Sequence, residues 1–306
     1  MSQPIPPTAP LPISSVSRTR GLAIAFMLGA GALVAATSLI AKTLGLADSS
    51  HAAIPAFQVS AGRFGFAFLT LCAFLLVRRQ RPPSLHKAHW RWHLARSLCG
   101  WLGVTAMFSA VAHMPLAEAT AISFLNPLVT MGLAVLLLDE RLTTRRILAA
   151  GLSLMGALLI LRPGTDAFQM AGLLALTAAC LFGLEAIFIK RLSDTEPALR
   201  VLLINNAIGA TVSISIATLV WVWPTPGQWG LLIALGAIMV CGQAMFVQAM
   251  KRGEASFVMP AFYGVLVFAA LYDFALFGVV PAALAIAGAG CILGGAVLLA
   301  LPQRRA

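Results

Sequence analysis

Arg63 stands about nine residues inside an apolar stretch running from Ile54 to Val77. Ser60, Arg63, Ala67 and Thr70 share one helical face there, and Phe64, Phe68, Leu71 and Leu75 share another. A guanidinium in such a stretch cannot face lipid cheaply, so it should point at other protein. Its chemistry would be to bind an anionic group, or to close a latch with a carboxylate. A permanent structural ion pair is the plainer alternative. Asp273, preceded by Tyr272, lies at similar depth in another apolar stretch and is a candidate partner for Arg63. A pair that opens and closes is a gate, and an acid within it would couple movement to protons. Glu185 is an acid on an otherwise apolar run, also placed to take up a proton, unless a basic residue near the end of that run holds it. His113, just before Met114-Pro115, is of the type whose charge changes near neutral pH, though such a residue more often caps a helix.

Uncharged polar residues inside apolar runs form a second group. Asn126 precedes Pro127 at a break, and Gln243 lies in a later run. Both can bind substrate or hold helices together. Trp101, Phe108 and Tyr263 could line a cavity for a flat or apolar cargo, with packing as the alternative. His86, His89 and His93 have a spacing that might suit a metal, but Lys87, Arg91 and two tryptophans surround them. A basic interfacial segment explains them better, so no metal site is expected. The five cysteines form no CxxC pair and read as small buried side chains. Gly288, Gly290 and Gly294 follow no strand and read as helix-packing positions, not as a dinucleotide fingerprint. HExxH and GxSxG are absent, as is any nucleotide-binding signature, so neither an enzyme nor a cofactor is expected.

These residues need elements to position them. Of the 306 residues, 60% are hydrophobic and 10% charged, against about 25% charged in soluble domains. The chain reads as an all-α integral membrane protein. Ten spans are expected, roughly 21–41, 54–77, 94–113, 116–138, 146–161, 170–190, 199–221, 229–249, 256–278 and 281–301. The net charge of +11 would suit nucleic acid, but the placement of the charges argues against that partner. Except for Lys42, Arg63 and Arg162, the basic residues that follow alternate spans fall on one side of the bilayer. The positive-inside rule then puts both termini in the cytoplasm and the chain in the cytoplasmic membrane. Residues 1–20 are Pro- and Ser-rich and read as a disordered cytoplasmic tail.

The stretch from Trp101 to Pro163 has a weaker copy about 138 residues later, with Ala106-Met107-Phe108 recurring as Ala244-Met245-Phe246. Thr120, Ser123, Asn126 and Thr130 make a polar stripe on its middle span, which should face other helices or a watery cavity. Breakers recur in the copy as Pro260 and Gly264. Residues 21–162 and 163–302 are thus expected to be two five-helix repeats, with 303–306 as a cytoplasmic tail. Five is odd, so the second repeat inserts upside down. Inverted repeats of this kind build secondary transporters, with the substrate near the midplane.

Pro115-Leu116-Ala117-Glu118-Ala119-Thr120, running into Asn126-Pro127 and then Leu138-Asp139-Glu140-Arg141-Leu142, resembles the EamA type of the drug/metabolite transporter superfamily. Arg63 and the run Glu185 to Ser193 add to the likeness, which covers nearly all of Gly21 to Leu301. It implies ten helices, two inverted EamA repeats and transport of small organic metabolites. In one respect the chain departs from it: Gly278-Val279-Val280-Pro281 stands where the second repeat usually carries a Glu. The expected function is secondary transport, by proton coupling or exchange, of an amino acid or related compound. Uptake of a larger nucleoside-bearing metabolite such as S-adenosylmethionine, or lipid flipping, is the alternative. The partners expected are a small-molecule substrate and the bilayer, with the chain a monomer or homodimer.

Overall fold

The computed structural model describes residues 13–45, 52–111, 116–161, 170–278, 280 and 282–301. Among these, every regular element is helical. In chain order they are α1 Ile13–Gly45, α2 Ala56–Val77, α3 Trp90–Val111, α4 Leu116–Ser123, α5 Asn126–Leu138, α6 Thr144–Leu161, α7 Met170–Thr195, α8 Ala198–Ala217, α9 Pro226–Arg252, α10 Ala255–Val258, α11 Gly264–Phe277 and α12 Ala283–Ala300. A 3-10 turn over Thr218–Val220 ends α8, and another over Met259–Tyr263 joins α10 to α11. Eight segments are long and apolar enough to cross a membrane, with α10 to α11 counting as one, and α5 is a shorter apolar helix. The chain is therefore a multi-pass membrane protein. Helix throughout is what hydrocarbon requires, since each segment must satisfy its own backbone polar groups.

The first helix departs from expectation. It begins at Ile13, so Ile13–Arg20 of the stretch expected as disordered tail is helical. The physical reason is local: no proline falls between Pro12 and Pro55, and Ser14 and Ser15 are good residues for a helix start.

Span four is broken where Asn126-Pro127 predicted. Pro127 has no N–H to give the carbonyl four residues back, which belongs to Ser123. The Asn126 side chain donates to that carbonyl instead, at 3.1 Å. Thr130 Oγ1 in turn donates to Asn126 O at 2.8 Å. The second break, at Met259–Tyr263, contains Pro260. Asn126 opens α5 and Gly264 opens α11, and both helices end in a left-handed residue, Asp139 at φ 54° and Gly278 at φ 65°.

Basic side chains at one end of the bundle close the C-termini of helices. Lys190 Nζ donates to Met250 O at 2.8 Å, Arg191 Nη2 to Leu137 O at 2.6 Å, and Arg145 Nη2 to Leu301 O at 2.7 Å. Each meets a carbonyl the last turn leaves without an intrahelical donor, where the helix dipole also favours a cation. The same end holds the tightest joint. Glu140, directly after α5, accepts from Ala255 N at 2.7 Å, Ser256 N at 2.9 Å and Ser256 Oγ at 2.6 Å. Arg146 donates to Ser256 Oγ at 2.8 Å and pairs with Glu254. The end of α5 is thereby fastened to the start of α10.

Helix α6 packs against α12 through close backbone approach. A methyl group added to Gly288 would lie 2.5 Å from Gly156 O. Of the three late glycines expected to pack, Gly288 meets the α6 backbone, Gly294 approaches Leu152, and Gly290 has nothing near it.

Candidate functional site

Two charged side chains from two helices meet inside the bundle, and a third on another helix lies within their electrostatic reach. Arg96 is on α3, in its second turn, and its Nε lies 3.7 Å from Glu185 Oε1 on α7. Arg63, on α2, feels the Glu185 carboxylate electrostatically, as Glu185 feels both arginines. Gly100 makes the meeting possible. A methyl group there would sit 3.1 Å from the Glu185 carboxylate, so the acid lies directly against the α3 backbone. One turn on, Gly103 admits the Phe182 ring of α7 in the same way.

Hydrogen bonding of the two guanidiniums is incomplete. Arg96 Nη1 donates to Val201 O at 3.4 Å, a long bond, and its Nε has no hydrogen-bond partner. Arg63 Nε is buried and likewise has none among the described residues, while its guanidinium carbon lies 5.0 Å from the Phe64 ring centroid. The Arg96 side chain is 3% exposed and that of Glu185 23%. Glu185 thus keeps part of its surface open although it lies ten residues from its helix end and against the backbone of a neighbouring helix.

The other expected site residues fall elsewhere. Asp273 lies 3.9 Å from Lys42 near the far end, and that ion pair replaces the Arg63 pairing considered for it. Depth along two helices fixes height but not which helices are neighbours, and α11 packs on α1. Tyr263 is fully buried, and its hydroxyl donates to Phe124 O at 2.7 Å, with the rings 6.0 Å apart. The two broken helices thus clasp each other at their breaks, and the Tyr263 ring is packed, not lining a void. Gln243 Oε1 accepts from Asn206 Nδ2 at 2.8 Å. Trp101 is 39% exposed on α3. Asn126 is held at the break, and Thr130, one turn on, reaches Gly183 O at 3.4 Å, two residues before Glu185. His113 lies outside the described residues, and the Phe108 side chain is not described.

Arg96 was not singled out in the sequence, where it counts among charges flanking a span. The signal for it was the series Arg96, Gly100, Gly103: a cation followed at helical spacing by two positions without side chains.

A second charged node sits at the basic end. Glu196, between α7 and α8, accepts from His89 N at 2.7 Å and meets the His89 ring at 3.0 Å and the His93 ring at 3.1 Å. Arg200 lies 3.6 Å away, and Arg96 and Arg200 both act electrostatically on His93. Two of the three histidines expected to be interfacial, His89 and His93, thus bind the start of α3 to the α7–α8 turn. Burial alone would raise the Glu196 carboxyl, but the His89 N–H and the two rings outweigh it and hold the group below the ordinary carboxylate range. A lowered value contributes stability above that range, lost as pH falls through it. Glu196→Gln is therefore expected to lower the melting midpoint of purified protein at neutral pH, and the gap to the parent should narrow as pH drops below about 4.5. A gap independent of pH would remove the carboxylate from the account.

Charges held between membrane helices are costly, and substrate or ion pathways are where they are usually found. The class that this bundle defines is the membrane transporters. Its two halves, residues 21–162 and 169–301, each match the EamA-like transporter family. The chain belongs to that family, within the drug/metabolite transporter superfamily, with two EamA repeats. It is 27% identical to the pseudopaline exporter CntI of Pseudomonas aeruginosa, over 85% of this chain and 91% of that one. It is 25% identical to the S-adenosylmethionine uptake transporter of Rickettsia felis, over 82% and 84%. It is 27% identical to the riboflavin transporter of Rhizobium johnstonii, over 83% of each. A solved crystal structure superposes with a TM-score of 0.72 at 22% identity, over 93% of this chain and 96% of that one, a likeness of fold alone.

Proposed function

We propose that the protein is a secondary transporter that moves a small organic metabolite, an amino acid or related compound, across the cytoplasmic membrane by alternating access. Ten spans form two inverted five-helix units, both termini are cytoplasmic, and a proton gradient or exchange drives the cycle. The observation that carries this is the Arg63–Glu185–Arg96 cluster, charges held between helices of both repeats. The packing supports inversion: α7 lies on α3 as α1 lies on α9, and α6 lies on α12. The starts of α5 and α11 and their left-handed ends keep the same register. One pair breaks the symmetry. Helix α2 lies closely along α9, whereas α8 touches α3 sparsely. Two halves caught in different conformations are what alternating access between inverted repeats requires.

Uptake of a nucleoside-bearing metabolite is the second reading, favoured by the relative named as an S-adenosylmethionine uptake transporter.

The test is uptake of labelled amino acids into proteoliposomes under an imposed pH gradient. Arg63→Ala is expected to abolish flux while membrane insertion stays intact, and unchanged flux would count against an interior role. Glu185→Gln should flatten the dependence on the pH gradient. A variant with full proton dependence removes Glu185 as the coupling site.

A further inference from the structure

The cluster does not balance. It holds two guanidiniums and one carboxylate, a net charge of +1, inside a bundle where lone charges cost several kcal/mol. Among the described residues, the other charges do not correct this. Glu196 is matched by Arg200 at 3.6 Å, and Asp273 is matched by Lys42 near the far end. His93, on which Arg96 acts, is bound to Glu196. The contacts are as unfinished as the charge. Arg63 Nε and Arg96 Nε are both buried without a hydrogen-bond partner, and the Arg96–Glu185 separation of 3.7 Å is an ion pair without a hydrogen bond. A guanidinium is a planar fork matched to two oxygens of one carboxylate. The Glu185 carboxylate lies on the Arg96 side, held against Gly100, which leaves Arg63 as the fork to be filled.

We infer that the Arg63–Glu185–Arg96 cluster is a binding site for an organic monoanion, whose carboxylate completes Arg63 and brings the cluster to neutrality. This deepens the transport reading and rests on it for the meaning of binding. The charge count selects among cargoes. A monocarboxylate cancels +1, whereas a phosphate dianion overshoots it. A zwitterionic amino acid leaves the excess in place, and a cation such as a sulfonium compound raises it. The favoured relatives of an amino acid are therefore those whose amino charge is masked or absent.

Matched triplets test this on purified protein in detergent. Leucine, phenylalanine and serine are each offered as N-acetyl acid, free amino acid and amide, so that charge changes from −1 to 0 to +1 on one side chain. Affinity is read from the concentration dependence of the melting midpoint. The N-acetyl acid is expected to bind at least tenfold more tightly than the free amino acid in at least one triplet, and the amide weakest in every triplet. Arg63→Gln should weaken the acid at least tenfold, and Arg63→Lys, which keeps the charge but loses the fork, should weaken it less. Glu185→Gln takes the cluster to +2 and should tighten the acid severalfold, a gain that a merely structural role would not give. An amide that binds best, inorganic phosphate that outcompetes every acid, or acids that fail to bind in all three triplets would overturn the inference. The assay needs no flux. Acid binding in the expected order without uptake into proteoliposomes sinks the transport reading alone, and uptake without that order sinks this one alone.

Discussion

Glu140→Ala is expected to cost the solubilised protein about 3–5 kcal/mol, since each buried donor left unsatisfied costs about 1–3 kcal/mol. Its carboxylate accepts from two backbone N–H groups and one hydroxyl, and both donor residues, Ala255 and Ser256, are fully buried. The Ser256 hydroxyl has Arg146 beside it and can turn, so the two N–H groups carry most of the cost. They belong to the first turn of α10, where no intrahelical acceptor exists. Glu140→Gln keeps one accepting oxygen and should recover about half the loss. The measurement is reversible unfolding in mixed detergent, for both variants against the parent. A Glu140→Ala protein within about 0.5 kcal/mol of the parent, the usual range of surface substitutions, would show that Glu140 does not hold this joint. The corresponding place in the second repeat keeps the left-handed turn at Gly278 but follows it with Val279, which cannot accept a hydrogen bond through its side chain.

Local chemistry was legible in the sequence, and adjacency was not. Asn126-Pro127 announced a break because proline removes a donor wherever the helix happens to sit, and the break is there. Three charged residues, Asp139-Glu140-Arg141, cannot continue an apolar helix in lipid, and Asp139 is left-handed there. The partners of Arg63 and Asp273 depended on how helices are rotated and ordered around the bundle. In a soluble helix an apolar face reports that rotation. Here lipid and protein are both apolar, so beyond Arg63 and Glu185 themselves α2 and α7 give little sign of which helix each side meets. Matching depths suggested Arg63 with Asp273, but Asp273 pairs with Lys42, and the acid acting on Arg63 is Glu185. The start of α1 was missed for another reason: a proline-rich beginning was extended as disorder past its last proline.

Gly156→Val should destabilise the protein by about 3 kcal/mol or more, the upper part of the range for overpacking. Gly156 and Gly288 face each other so closely that a methyl group on either one would strike the other's carbonyl oxygen, at 2.5 Å in the case of Gly288. Backbone is the obstacle, so no side-chain rotation relieves it, and α6 and α12 must move apart along their whole seam. Van der Waals contact is the main attraction between helices in lipid, with no water to be expelled, so separation removes the attraction itself. Gly290→Ala is the control. Nothing lies within 4 Å of that position, so the change should be neutral or stabilise by up to about 1 kcal/mol through lower chain entropy in the unfolded state. Opposite signs for two glycine substitutions on packed helices separate steric conflict from any general effect of added volume, and equal losses would refute the close approach. The Gly156→Val protein that does fold should keep the charge ranking of ligands at Arg63, because α6 and α12 contribute no side chain to the Arg63–Glu185–Arg96 cluster.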